Sequence, residues 1–527
     1  MKKLVLTTAA VSLGLGTLAL AVPAGASGGS APRAKETVAW TQCPADNPYL
    51  ENAQCAQVEV PLDHRKPHGK KISVAISRVK HTAPDSEYRG VLFGNPGGPG
   101  GSGLYLSGGL ASWLAPETAA KYDIIGFDPR GVGASKPALT CDPDFSAPVR
   151  PDYVPASAKE ELAWIKKSKA YAEACGKKFG WLLPYMRTTD AARDVDAIRA
   201  ALGVSKINYY GFSYGTYLGA TYSTLFPQRV GRMVLDGNVD VRTVWYDAQL
   251  EQDKAFERNI ELYFGWIAKY DSVYHLGKTA AAVEKAYYRL LAQAEKKPLG
   301  GRVGPAELTD TLLNAGYSTG WYEAPAEALA AQINDGDSSK LVYLFDNYIA
   351  STDDNGFAVY LAVQAVDAPW PRKWSTWHRD AVKLYKAGVT FETWGNVWFN
   401  APIAFWPVKG GPALKINGKG MPPALLVQST LDGATPYPGG EQMHKVLPSR
   451  LIAEVGGKTH SNTLNGNACL DDRVNAYLST GALPADRPGN GPDVSCAALP
   501  DPDPTAATMR AKSAGGSPRA EVIFGRP

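Results

Sequence analysis

The stretch "NYYGFSYGTYLGA", residues 208–220, decides how this chain is read. Ser213 stands two positions after Gly211 and two before Gly215, in an otherwise apolar and aromatic run. That pattern fits a serine on a turn too sharp for side chains at its neighbours. It also fits a glycine-rich helix start that contains a serine by chance. Glycine fills 53 of 527 positions, so roughly one serine in a hundred meets the pattern at random and the motif alone is weak. Context separates the two readings. "SKINYYGFSYG" reads as a strand running into the motif, and "TYLGATYSTLF" as a helix stopped by Pro227. A serine between a strand and a helix has the setting of a nucleophile elbow, where the hydroxyl stands clear at a helix N-terminus.

The same alternation extends on both sides. "GVLFGNPGGPGGSG" (90–103) is an apolar strand ending in glycines, and "YDIIGFDPRGVGAS" (122–135) is a buried strand followed by a turn. "TTDAARDVDAIRAALG" (188–203) carries apolar residues at helical spacing, and "VGRMVLDGNVD" (230–240) is one more strand. "AQVEVPLDHRKPHGKKISVAISRVK" (56–80) alternates on both sides of a turn and reads as a hairpin. The fold class is α/β: a mostly parallel sheet covered by helices. From 241 to 415 the pattern lapses into helical, Trp- and Tyr-rich segments, read as a helical cap inserted between two strands of one sheet. Strands return at "PPALLVQSTLDGATP" (422–436) and "SRLIAEVGGKTHS" (449–461). The expected core is thus split into 38–240 and 416–497. The tail 498–527, rich in Pro and Ala, is expected to be unstructured.

Composition bounds the partners. Hydrophobic residues are 45% and charged residues 20%, and 55 basic against 51 acidic residues leave a net charge of +4. Such a balance gives no reason to propose nucleic acid or an anionic membrane. The sequence has no Walker-type phosphate loop and no zinc-type Cys/His spacing. Residues 1–26 read as a signal peptide: two lysines, an apolar run from 4 to 22 interrupted by Gly14 and Gly16, and small residues before a cut after Ala26. Residues 27–37 then form a possible pro-segment, and the expected location is extracellular, with no stable membrane association. Six cysteines in an exported chain suggest three disulfides. Pairing sequence neighbours gives Cys43–Cys55, Cys141–Cys175 and Cys469–Cys496, one of fifteen connectivities.

A serine nucleophile needs a base. In the order Ser, acid, His, only His444 and His460 follow far enough along the chain. His444 lies in "GGEQMHKVLPS", a helix, where it reads as a surface residue. His460 follows the strand "RLIAEV" and two glycines, at the strand end where open α/β sheets hold their sites. Asp432, in "LLVQSTLDGATP", is the preferred acid, with Asp236 in "MVLDGNVD" as its competitor. Oxyanion donors are the backbone N–H of Tyr214 and one from the loop 94–103. Pro96 and Pro99 have no N–H, so Gly97 and Gly98 remain, and Gly98 is the choice.

"NPGGPGGSG", "FDPRGVGAS", "GFSYGTYLGATYSTLFP" and "VLDGNVD" together resemble the secreted tripeptidyl aminopeptidases of actinomycetes, in the prolyl aminopeptidase group of serine α/β-hydrolases. The resemblance spans roughly residues 38–497. It implies an α/β-hydrolase core with a cap, a triad on Ser213, Asp432 and His460, no cofactor and no metal. It also implies peptide substrates cut near a free N-terminus. A monomer is expected, with the oligomeric state left open. The chain departs from that family at "GGKTHSN", where relatives tend to have Gly-His-Gly. It also has Ala365 and Ile403 where relatives carry a cysteine pair. Asp367, in "AVQAVDAPWP", is the first candidate to bind the substrate's ammonium, ahead of Asp335, Asp337 and Glu323. Its alternative role is a helix cap or a structural ion pair. An esterase, a small-molecule amidase and a non-enzymatic binding module of the same fold are the other readings.

Overall fold

The computed structural model describes residues 36–44, 47–350, 354–489 and 491–506. The expected signal peptide, nearly all of the expected pro-segment and the tail beyond 506 lie outside these residues.

Ten strands form one sheet: β1 (Thr41–Gln42), β2 (Gln54–Pro61), β3 (Lys71–Val79), β4 (Val91–Asn95), β5 (Asp123–Phe127), β6 (Ile207–Phe212), β7 (Val230–Asp236), β8 (Ala424–Ser429), β9 (Ser449–Val455) and β10 (Val494–Ala497). Their order is β1-β2-β3-β5-β4-β6-β7-β8-β9-β10. The hairpin β2–β3 and its neighbours β1 and β5 pair antiparallel, and every later pair is parallel. Strands β4, β6 and β8 are buried along their whole length, as unbroken apolar runs require when both faces are covered. Strand β2 instead alternates, with Val58 and Val60 inward and Gln57 and Glu59 outward.

The two faces are covered by different helices. Leu92, Ile124, Tyr210, Val234 and Leu425 point to α1 (Leu106–Trp113) and to a C-terminal helix, Ala468–Thr480. Phe93, Ile125, Tyr209, Met233 and Leu426 point the other way. There they meet α3 (Thr188–Ala201) and α4 (Tyr214–Leu225), while α2 (Ala158–Phe179) packs at the margin of the same core.

Between β7 and β8 the chain is helical. It includes α5 (Tyr246–Lys269), α6 (Ala280–Lys296), α7 (Pro305–Tyr317), α8 (Asn355–Asp367) and α9 (Thr393–Asn400). This insertion has two parts. Helices α5 to α7 build a core of their own around Phe256, Ile260, Tyr263, Tyr287 and Leu312. Helices α8 and α9 join the main core, where Trp398 stacks on Trp164, Trp374 and Trp394. Ala365 and Ile403 are both buried in this second part. After β8 come α10 (Pro438–Val446) and α11 (Ala468–Thr480).

The three disulfides join the sequence neighbours: Cys43–Cys55, Cys141–Cys175 and Cys469–Cys496. Closing loops of 12, 34 and 27 residues restricts the unfolded chain by about 3–4 kcal/mol each. The tail corrects one expectation. Through residue 506 it is packed rather than loose. Ala498 N–H donates to Val455 O, Trp266 Nε1 donates to Pro502 O at 2.9 Å, and Lys458 Nζ lies 2.7 Å from Asp501. Proline prevents a regular ladder here but leaves carbonyls free to accept from side chains. No helix among the described residues is long and apolar enough to cross a membrane.

Candidate active site

Ser213 caps α4 with φ 55° and ψ −126°, a left-handed conformation that a non-glycine residue holds only under constraint. Its flanking glycines are a packing requirement. A Cβ on Gly211 would sit 2.5 Å from Gly215 O, and one on Gly215 would sit 2.7 Å from Asn95 O. Strand β6, helix α4 and the end of β4 therefore meet with no room for side chains. The Ser213 N–H donates to Asp236 O at 2.9 Å, which ties the turn to β7. Tyr214 opens the helix, so its own N–H has no acceptor within the helix.

The glycine-rich loop after β4 lies against this turn. A Cβ on Gly97 would meet Phe212 O at 2.6 Å and Ser213 Cβ at 2.9 Å. The Gly97 N–H is already donated to Asn95 Oδ1 at 3.1 Å. Gly98, with φ 105°, lines the same cavity as Ser213 and Tyr214. Buried Asp128 holds the far end of the loop, accepting from Ser102 Oγ and Gly103 N. Burial pushes its carboxyl above the usual range despite those bonds.

Asp432 and His460 come together from the ends of β8 and β9. His460 Nδ1 lies 2.8 and 3.0 Å from the two carboxylate oxygens. A carboxylate on Nδ1 selects the tautomer with an unprotonated Nε2, the form that accepts a proton. The carboxylate is fixed in turn by Ala434 N and Thr435 N at 2.9 Å, Thr435 Oγ1 at 3.0 Å and Gln428 Nε2 at 3.3 Å. Both residues are buried, and His460 shares a cavity with Ser213. The competitor Asp236 accepts from Thr463 N at 2.7 Å and Thr463 Oγ1 at 2.6 Å. Its carbonyl also accepts from Ser461 Oγ at 3.1 Å. Ser461 holds φ 53° in the "GGKTHSN" segment, a conformation that favours glycine, and this hydrogen bond helps to hold it there.

Two expectations are corrected. His444 is not a surface residue: its side chain is 11% exposed, and Nδ1 lies 2.8 Å from Ser449 Oγ. Asp367 does not line the cavity. Its carboxylate accepts from Thr188 N at 2.7 Å and Thr188 Oγ1 at 2.5 Å. Helix α3 has no capping side chain of its own, and Asp367 supplies one from a distant helix. Tyr214 Oη reaches the same Thr188 hydroxyl at 2.7 Å, so Asp367 supports the elbow from beneath. Burial raises its pKa to about 6 against the opposing bonds from Thr188.

The cavity measures about 360 Å³, and the insertion supplies its roof: Gln249, Gln252, Tyr360, Gln364, Asn396 and Phe399. Gln249 Nε2 donates to Tyr360 Oη at 3.1 Å and Gln364 Oε1 at 3.3 Å. Its own Oε1 is shielded from solvent and has no hydrogen-bond partner among the described residues. Asn396 Nδ2 donates to the buried Asp253 at 2.8 Å. Sequence reading missed this amide-rich wall, whose members come from three helices. The one local signal was Gln249 and Asp253, four apart on one face of α5.

Residues 90–461 match the family model described as the alpha/beta hydrolase fold, and the chain belongs to that family. It is 44% identical over 493 residues to the tripeptidyl aminopeptidase of Streptomyces coelicolor, covering 91% of this chain and 90% of that protein. It is 31% identical over 488 residues to the serine protease Hip1 of Mycobacterium tuberculosis, covering 86% and 91%. It is 32% identical over 516 residues to carboxylesterase B of the same species, covering 91% and 97%.

Proposed function

We propose that this protein is a secreted serine exopeptidase that releases short peptides, chiefly tripeptides, from free N-termini. Ser213 attacks the scissile carbonyl while His460 Nε2 takes its proton. Asp432 orients the imidazole and stabilises it once charged. The amides of Tyr214 and Gly98 receive the developing oxyanion. His460 then protonates the leaving amine, and water hydrolyses the acyl-enzyme.

The observation that carries this reading is the joint position of Ser213 and the His460–Asp432 pair on one roofed cavity of about 360 Å³. That volume lies near the lower end of small-ligand sites, roughly 300–1,000 Å³, and suits a few residues better than a long chain. The activity in the name of the 44%-identical relative, tripeptidyl aminopeptidase, agrees. With Asp367 off the wall, the substrate's ammonium is assigned to Gln249 Oε1, an acceptor without a hydrogen-bond partner among the described residues, with the carboxyl group of Asp253 behind Asn396.

The test uses one peptide in two forms, free and N-acetylated, beside a simple aryl ester, with products identified by mass. The proposal expects N-terminal tripeptides from the free form and little from its acetylated twin. Equal cutting of both forms removes the ammonium assignment. Turnover of the ester alone favours an esterase, the activity named in the carboxylesterase B relative.

A further inference from the structure

The helical insertion holds the loops that carry Asp432 and His460. Asn259, on α5, is 1% exposed. Its Nδ2 donates to Leu431 O at 2.9 Å and to Gly316 O at 3.0 Å. One amide thus joins α5, the end of α7 and the peptide unit just before Asp432. Its Oδ1 accepts from Arg258 Nε at 3.1 Å, and the same guanidinium donates to Asp432 O at 3.2 Å. The fit allows no slack, because a Cβ on Gly433 would lie 2.9 Å from Gly316 O and 3.0 Å from Asn259 Nδ2.

The base is held by the next residues of that turn. His460 N–H donates to Tyr317 O at 2.8 Å, and the Tyr317 ring meets the imidazole edge-on at 6.0 Å between centroids. Thr319 N donates to Thr459 Oγ1 at 3.3 Å. Residues 316–319 therefore touch both the acid loop and the base loop, and Asn259 fastens them to the acid side.

We infer that Asn259 is a positioning residue that sets Asp432 against His460, so the insertion is part of the catalytic frame and not a lid that lifts away from it. This rests on the triad proposed above. Lifting the insertion as a body would break the bonds to Leu431, Asp432 and His460 together and leave buried carbonyls without donors. Substrate then enters with the frame closed, by the side where the exposed Arg242 and Glu251 line the cavity. A carboxylate and an imidazole at 2.8 Å tolerate little displacement, and a misplacement of about 1 Å costs on the order of 100-fold in rate.

The test compares the wild-type chain with Asn259→Ala and the milder Asn259→Ser, which retains one donor and serves if the alanine variant does not fold. Two readouts are taken: the rate at which a small fluorophosphonate modifies Ser213, and kcat and KM on a short peptide amide. The expected result is a fall of about 10- to 100-fold in both the modification rate and kcat, with KM moving less than about threefold. Unfolding should stay cooperative. An unchanged modification rate with a raised KM would mean that Asn259 only shapes the wall, and overturns the inference. Failure of the wild type to react at Ser213 would instead overturn the triad itself, and this inference with it.

Discussion

Replacing Asp367 by asparagine separates a structural carboxylate from a substrate-binding one. The carboxyl is buried and its pKa stands at about 6, against an ordinary 3.8. The folded state therefore keeps its proton over a pH range in which the unfolded chain has lost it. The contribution of this group to stability is at its fullest below about pH 4 and is lost as pH rises through about 6. The gap is about two pH units at about 1.4 kcal/mol each, so the ionised group costs the fold about 3 kcal/mol at neutral pH. Asparagine cannot ionise and, like the protonated carboxyl, has one carbonyl acceptor, but its amide nitrogen fits the 2.5 Å contact with Thr188 Oγ1 less well than an oxygen does, a loss of about 1–3 kcal/mol at pH 4. Asp367→Asn should therefore be less stable than wild type at pH 4, and the difference should shrink or reverse by pH 7.5. Urea unfolding of both proteins at intervals between pH 4 and 8 measures it. A stability difference that stays constant over that range would refute the reasoning. Because Thr188 also bonds Tyr214, kcat should drop by the same factor on free and acetylated peptides. A loss confined to the free peptide would place the carboxylate on the substrate's ammonium after all.

Ser213→Ala should lower kcat on the order of a million-fold while leaving the urea midpoint within experimental spread; both are read on the same preparation. Gly215→Ala should destabilise the fold by several kcal/mol, because its Cβ would lie 2.7 Å from a backbone oxygen with no way to yield, and thermal unfolding reports it. Gln249→Leu should raise KM for free peptides about tenfold or more and leave that for acetylated peptides nearly unchanged, as steady-state kinetics on the matched pair would show.

The turn at Ser213 and the strand ends that carry Asp432 and His460 were legible because each rests on a local signal. The glycines at 211 and 215 answer contacts formed where the strand turns into the helix, and the apolar runs of β4, β6 and β8 announce full burial. What stayed hidden depends on residues far apart in sequence. Asp367 caps a helix that begins 179 positions earlier, and no spacing rule reaches that far. Strand β10 has four residues and follows a long loop, too short to show a period. The proline-rich segment after it read as loose because proline forbids ladders, yet carbonyl acceptors and one lysine suffice to dock it. The amides of the cavity roof looked like ordinary polar helix residues until three helices brought them together.

The most direct test of the account is to trap its intermediate. The enzyme is mixed with a tripeptidyl ester that acylates faster than it deacylates, quenched in acid within the first turnover, digested and weighed. The account predicts a mass increase of one tripeptidyl group on the fragment that contains Ser213, absent in Ser213→Ala. An adduct on any other residue, or steady turnover with no adduct at all, would contradict it.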